Sequence, residues 1–142
     1  MPAASGRRQI PRRAESHSGD SDSGVTAKGT GQFGLVAVAD TWNRRVQLFT
    51  SEGVVLREWQ IPSWDVSHPD EKPFLSWYDG SLYVTDPMRG RVLAFDEEGQ
   101  FQWALSGPAD ERLAFPVDLL VDDDVLYVTD AHRGALVSYG LP

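Results

Sequence analysis

Asp40, Asp86 and Asp130 recur at intervals of 46 and 44 residues, each closing a short apolar run just ahead of a turn. One carboxylate per repeat could set anionic groups around a shared centre, for a metal ion or for acid–base chemistry. Their surroundings favour structure over chemistry. An Asp that ends a strand before a turn accepts backbone N–H bonds, and Arg45 and Arg91 are placed to pair with Asp40 and Asp86. The third copy has Ala135 in the arginine position, so that turn is expected to be held less firmly. Other reactive groups are sparse. Asp122, Asp123 and Asp124 are adjacent, so their side chains do not converge on one calcium ion, and they read as a solvated turn. His17, His68 and His132 lack metal-ligand spacing. There is no Gly-x-Ser-x-Gly elbow, P-loop or paired Glu and His helix motif, and with none of these the sequence calls for no catalytic residue, no metal and no cofactor.

The elements that would carry these residues are short strands. Leu35 to Ala39, Val46 to Thr50 and Val54 to Gln60 are β-prone runs divided by turn residues. Phe74 to Tyr78, Leu82 to Thr85, Arg91 to Phe95 and Phe101 to Leu105 make a four-stranded unit with tight connections at Asp79-Gly80-Ser81 and Asp96 to Gly99. Val117 to Val121, Val125 to Thr129 and Leu136 to Tyr139 supply three more. Gly53 and Gly99 repeat at the same spacing of 46, and Pro73 and Pro116 precede matching apolar runs 43 apart. A period of this length with several landmarks in step is the signature of repeated four-stranded sheets stacked as propeller blades. The fold class expected is all-β, with about ten strands: one complete blade flanked by two incomplete ones.

Composition bounds the rest. The 142 residues are 41% hydrophobic and 11% aromatic, enough for one packed domain. Without cysteine, stability must come from packing. Residues 1–32 are rich in Ser, Gly, Arg and Asp and read as a disordered low-complexity leader, with 33–142 as the repeat domain and units near 33–61, 73–107 and 116–142. The leader carries +2 of the total charge of −8, leaving −10 for the domain, a balance that argues against nucleic acid as partner. No apolar run is long enough to span a membrane and no signal-peptide block is present, so a soluble chain of unassigned compartment is expected.

The run Val38-Ala39-Asp40-Thr41-Trp42-Asn43-Arg44-Arg45-Val46-Gln47-Leu48-Phe49, followed by Glu52-Gly53, resembles an NHL repeat. The second unit keeps Tyr83-Val84-Thr85-Asp86, Arg91-Val92, Phe95 and Gly99, with Arg89 where the pattern has Asn; the third keeps Leu126 to Asp130 and then diverges. The resemblance implies a six-bladed or similar β-propeller of which the chain holds part. It also implies that Gly31-Gln32-Phe33 should introduce an innermost strand, yet the second strand follows at once. The first unit is therefore expected to lack its inner strand and the third its outer one, leaving open edges that invite self-association.

Strand order sorts the loops onto two rims. One collects Glu52, Asp79, Asp96, Glu97, Glu98 and Asp122 to Asp124, with no basic residue among them. The other collects Trp42, Asn43, Arg44, Trp64, Asp65, His68, Arg89, Arg112, His132 and Arg133. Exposed aromatics with arginines suit protein, peptide or glycan recognition, so the ligand-binding set is expected here: Trp42, Asn43, Arg44, Trp64, His68, Arg89, His132 and Arg133. Trp42 and Trp64 have an equal alternative as lids folded onto neighbouring blades. Trp59, Trp77 and Trp103 lie within strands and are expected in the core. The leading expectation is a non-catalytic binding or scaffold module, a tail of some larger protein being compatible with it. The alternative is a propeller enzyme, lactonase-like or amidating-lyase-like, with a metal on its axis.

Overall fold

The computed structural model describes the backbone of residues 25–30 and the whole of residues 34–68 and 70–142. Among the described residues eleven strands form three antiparallel sheets. The first is β1 (Val25–Thr30), β2 (Leu35–Asp40), β3 (Arg45–Thr50) and β4 (Val55–Gln60); the second is β5 (Leu75–Tyr78), β6 (Ser81–Asp86), β7 (Arg91–Asp96) and β8 (Phe101–Leu105). The third holds β9 (Pro116–Asp122), β10 (Val125–Asp130) and β11 (Ala135–Gly140). Strands pair in chain order within each sheet, the meander expected of propeller blades, and the fold is a partial β-propeller.

One feature of the first blade differs from the expectation. Val25–Thr30 pairs antiparallel with β2, from Val25 opposite Asp40 to Thr30 opposite Val36, so this blade has its inner strand. The segment VTAKGT has too few large apolar residues to stand out from the polar stretch around it, and its pairing relies on the edge that β2 presents. The rest of the expected leader, residues 1–24 and 31–32, lies outside the described residues.

Stacking of the blades explains the burial pattern. The middle blade is covered on both faces, so β6 and β7 are buried almost end to end. Its face toward the first blade packs Leu75, Leu82, Val84, Leu93 and Phe95 against Ala37, Ala39, Val46 and Leu48, with Trp59 of β4 laid on Phe95 at 5.6 Å between ring centroids. Its other face packs Tyr83, Val92 and Ala94 against Leu119, Val121, Leu126 and Val128. Among the described residues the third blade has this one face covered. Its strands therefore alternate, and Leu120 and Leu136 stand 59% and 70% exposed on the open side.

The turn joining the second and third strands of each blade ends in a left-handed residue: Arg44 (φ 54°), Gly90 (φ 59°) and Gly134 (φ 59°). At Gly90 a second constraint applies, because an added Cβ would lie 2.4 Å from the carbonyl oxygen of Leu113 in the linker to the third blade. Nothing lies within 4 Å of the same position at Gly134. Gly134→Ala should therefore cost about 1 kcal/mol from backbone strain alone. Gly90→Ala should cost more, roughly 2–4 kcal/mol, since turn and linker must part; equal costs in chemical denaturation would contradict this packing.

Candidate functional site

The turn aspartates are held differently in each blade. Asp40, at the end of β2, accepts bonds from Asn43 Nδ2 to both its oxygens (3.0 and 2.9 Å) and from Arg45 Nε (2.8 Å). Arg45 also reaches Glu58 on β4 through Nη1 at 3.0 Å. Asp86 is fully buried; its Oδ2 accepts from Arg91 Nε (2.8 Å) and from the Ser63 hydroxyl (2.7 Å). Asp130, fully buried and lacking an arginine, accepts backbone N–H groups of Ala114 (2.7 Å), Phe115 (3.0 Å) and Arg133 (3.3 Å). The missing Arg–Asp pair thus does not leave the third turn loose, because main-chain donors take its place. Burial pushes the Asp130 carboxyl up, but the three N–H groups and the Arg133 charge outweigh it and hold the group below the usual carboxylate range.

Two of these contacts tie blades together. Ser63 belongs to linker 61–74, arriving from the first blade, and Ala114 and Phe115 belong to linker 106–115, arriving from the second. Each linker also enters its sheet by a main-chain bond: Thr85 N–H to Phe74 O (2.9 Å) and Ala131 N–H to Phe115 O (2.9 Å). The buried carboxylate is the socket into which the preceding linker plugs.

Around these sockets the rim side chains differ in exposure and in the bonds they make. Trp42 follows Asp40 and is 57% exposed, and Arg44, Met88, Arg89, Arg112 and Arg133 are exposed with it. Asn43 has its amide bound to Asp40. His68 is half-buried, with Nδ1 4.0 Å from Asp70 and accepting the Asp70 N–H. His132 stacks on Phe115 with ring centroids 4.6 Å apart, and Arg133 donates to the carbonyl of Arg112 at 3.3 Å. Trp64 is a correction to the expected ligand set: it is wholly buried among Ile61, Leu75 and Val84, as the lid alternative had it. An indole ring buries so much apolar area that a linker crossing an open core edge folds it inward. The opposite rim carries Glu52, Asp79, Glu97, Glu98 and Asp122 to Asp124 as exposed carboxylates, with Arg57 of β4 3.9 Å from Glu98.

Glu71 went unnoticed in the sequence. It lies in the polar run Pro69-Asp70-Glu71-Lys72-Pro73, yet is only 4% exposed, and among the described residues neither carboxyl oxygen has a hydrogen-bond partner. Burial first, and the charge of Asp86 second, push its pKa up to about 7; the backbone N–H groups of Met88 and Asp65 oppose the shift without closing a bond of good geometry. Only its position between two prolines, which stiffen the linker, hinted at a fixed side chain. Among the described residues no three His, Asp or Glu side chains come together as metal ligands. Nor is any helix long and apolar enough to cross a membrane.

No family model matches the chain, and no curated protein does. Solved structures do match. The chain is similar to a streptogramin B lyase (18% identity, TM-score 0.60, covering 87% of this chain and 42% of that one). It is similar also to virginiamycin B lyase from Staphylococcus aureus (17%, 0.58, 87% and 43%) and to a protein of unknown function from Bacteroides caccae (16%, 0.59, 79% and 44%). At such identities the likeness is one of fold. The chain spans less than half the length of each.

Replacing Asp130 by Ala strands three main-chain donors, two of them in the linker, and should destabilise the fold by about 3 kcal/mol. Because the Asp130 pKa is depressed on folding, its contribution is complete above the unfolded carboxylate range and is lost as pH falls toward the folded value. The difference between wild type and Asp130→Ala in denaturant titrations should therefore shrink in acid.

Proposed function

We propose that the chain is a non-catalytic binding module of the NHL-like propeller kind, which takes a protein, peptide or glycan ligand on the rim of turns and linkers. The observation that carries this reading is the company kept by Trp42. It stands 57% exposed on a rim where Arg44, Arg89, Arg112 and Arg133 are exposed and none forms an ion pair among the described residues, while exposed carboxylates line the other rim. Exposed guanidinium groups outside any of these ion pairs, on the same rim as a large flat ring, favour a ligand that bears carboxylate, sulfate or phosphate groups. The aspartates in the same turns are buried and each holds structural bonds, which leaves recognition to their neighbours.

A catalytic reading draws on the names of two similar structures, both lyases, and on the propeller fold they share with this chain. Fold alone carries no chemistry, and the carboxylates of the three turns here are already engaged with arginine, serine or main-chain donors. Self-association is a separate expectation, supported by Leu120 and Leu136 on the uncovered face of the third blade; a concentration-independent monomer mass in light scattering would end it.

Trp42→Ala combined with Arg89→Ala should weaken capture of an anionic peptide or glycan about tenfold or more, with the variant still unfolding in a single cooperative transition. Screening the full chain and this variant against peptide and glycan arrays reads the difference. Equal capture by the two would remove the rim from consideration.

A further inference from the structure

Glu71 and Asp86 are two buried carboxyls that the binding reading does not use, and the linker that carries Glu71 reaches Asp86 through the Ser63 hydroxyl at 2.7 Å. Glu71 sits in linker 61–74, and Asp86 ends β6 directly before the rim turn Pro87–Arg89. Both are nearly or wholly shielded from water, at 4% and 0% exposure. Asp86 Oδ2 accepts from Arg91 and Ser63, but among the described residues its Oδ1 has no partner, and neither has either oxygen of Glu71. Three buried carboxylate oxygens without donors would be costly if both groups were charged. A single proton removes most of that cost.

We propose that Glu71 is a protonated carboxyl that donates to Asp86 Oδ1, fastening linker 61–74 to the rim turn of the middle blade by a bond that opens when Glu71 ionises. The groups facing Glu71 from every side fit this role. Asp86 on β6 presents the acceptor and a negative charge; Asp65, in the same linker, adds a second negative charge; the N–H groups of Met88 in the turn and of Asp65 face the carboxyl. Arg91, the cation on β7, is committed to Asp86. Among the described residues no cation pairs with Glu71. The sequence neighbours of the latch explain its consequence: Met88 and Arg89 on one side, and Asp65 and His68 on the other, belong to the rim. Loss of the proton places two like charges together in a dry site, and the linker and turn separate. In the third blade the corresponding socket, Asp130, is filled by main-chain N–H groups that do not titrate near neutrality, so the device does not recur there.

The latch deepens the rim reading by giving it a regulator, and rests on that reading only for its biological use. The upward shift of Glu71 to about 7 puts the switch in the physiological range. For a carboxyl raised on folding, the folded state binds the extra proton, so stability is highest below the ordinary carboxylate range. It declines as pH rises through the window up to about 7, then levels off.

Three measurements on the full chain decide the proposal without any ligand. Carbon-detected NMR titration of the Glu71 side chain should show a midpoint near 7; a midpoint in the ordinary carboxylate range overturns the latch. Hydrogen exchange at Asp65, Met88 and Arg89, corrected for intrinsic rates, should accelerate at least about tenfold between pH 6 and pH 8 in the wild type. Glu71→Gln, whose amide can still donate to Asp86 but cannot ionise, should keep these amides protected at both values; the same pH dependence in this variant sinks the idea. If Glu71→Gln fails to fold, the wild-type titration still stands as the test. Failure of the array experiment with Trp42 and Arg89 leaves all three readings untouched, so the two proposals fall separately.

Discussion

The fold turns on how a blade receives the linker from the blade before it. A sheet covered on both faces can present polar groups only at its rims, and there each buried turn aspartate must find donors or destabilise the structure. Asp86 finds them in Arg91 of its own sheet and Ser63 of the incoming linker; Asp130 finds them almost wholly in the incoming and local main chain. The carboxylate is thus the point at which an apolar stack gains a defined order. Hydrophobic contact holds the blades together, but it is non-directional. The hydrogen bonds at the aspartate say which linker goes where.

The same constraint divides the rim residues into two kinds. Side chains that satisfy the socket, such as Asn43, Arg45, Arg91 and Ser63, are held near 3 Å from their partners and have little freedom to meet anything else. Residues one or two places along, such as Trp42 and Arg89, stand exposed in a turn that closes on a left-handed residue. A repeated scaffold in this way fixes the backbone and leaves the exposed positions to vary between copies, which is the arrangement binding surfaces favour.

Glu71 marks the place where this economy is incomplete. Its linker brings a carboxyl, not a main-chain N–H, toward the socket of the middle blade, so the junction can be satisfied only with a proton. The prolines on either side limit how far the linker can relax to avoid it. Packing on the first blade adds to the constraint: Trp64, seven residues earlier in the same linker, is anchored in the core between the first and middle blades and holds the linker down.

The period of the aspartates and glycines, the alternation within strands and the turn chemistry were enough to read three antiparallel units and the sorting of loops onto two rims, because these depend on local spacing and on the two-residue period of a strand. What escaped were features decided by contacts distant in sequence. Val25–Thr30 carries no apolar signal of its own and became a strand through the free edge of β2. Trp64 looked like Trp42, an aromatic in a polar loop, yet one is buried and the other exposed, since only Trp64 passes over an open apolar edge. Glu71 drew no notice within its polar run, and its linker carried it out of solvent. Sequence by itself determined the blades and their turns, which local geometry and hydrophobic period dictate; tertiary structure alone decided which loop residues face water, because that depends on where each linker lands on the neighbouring sheet.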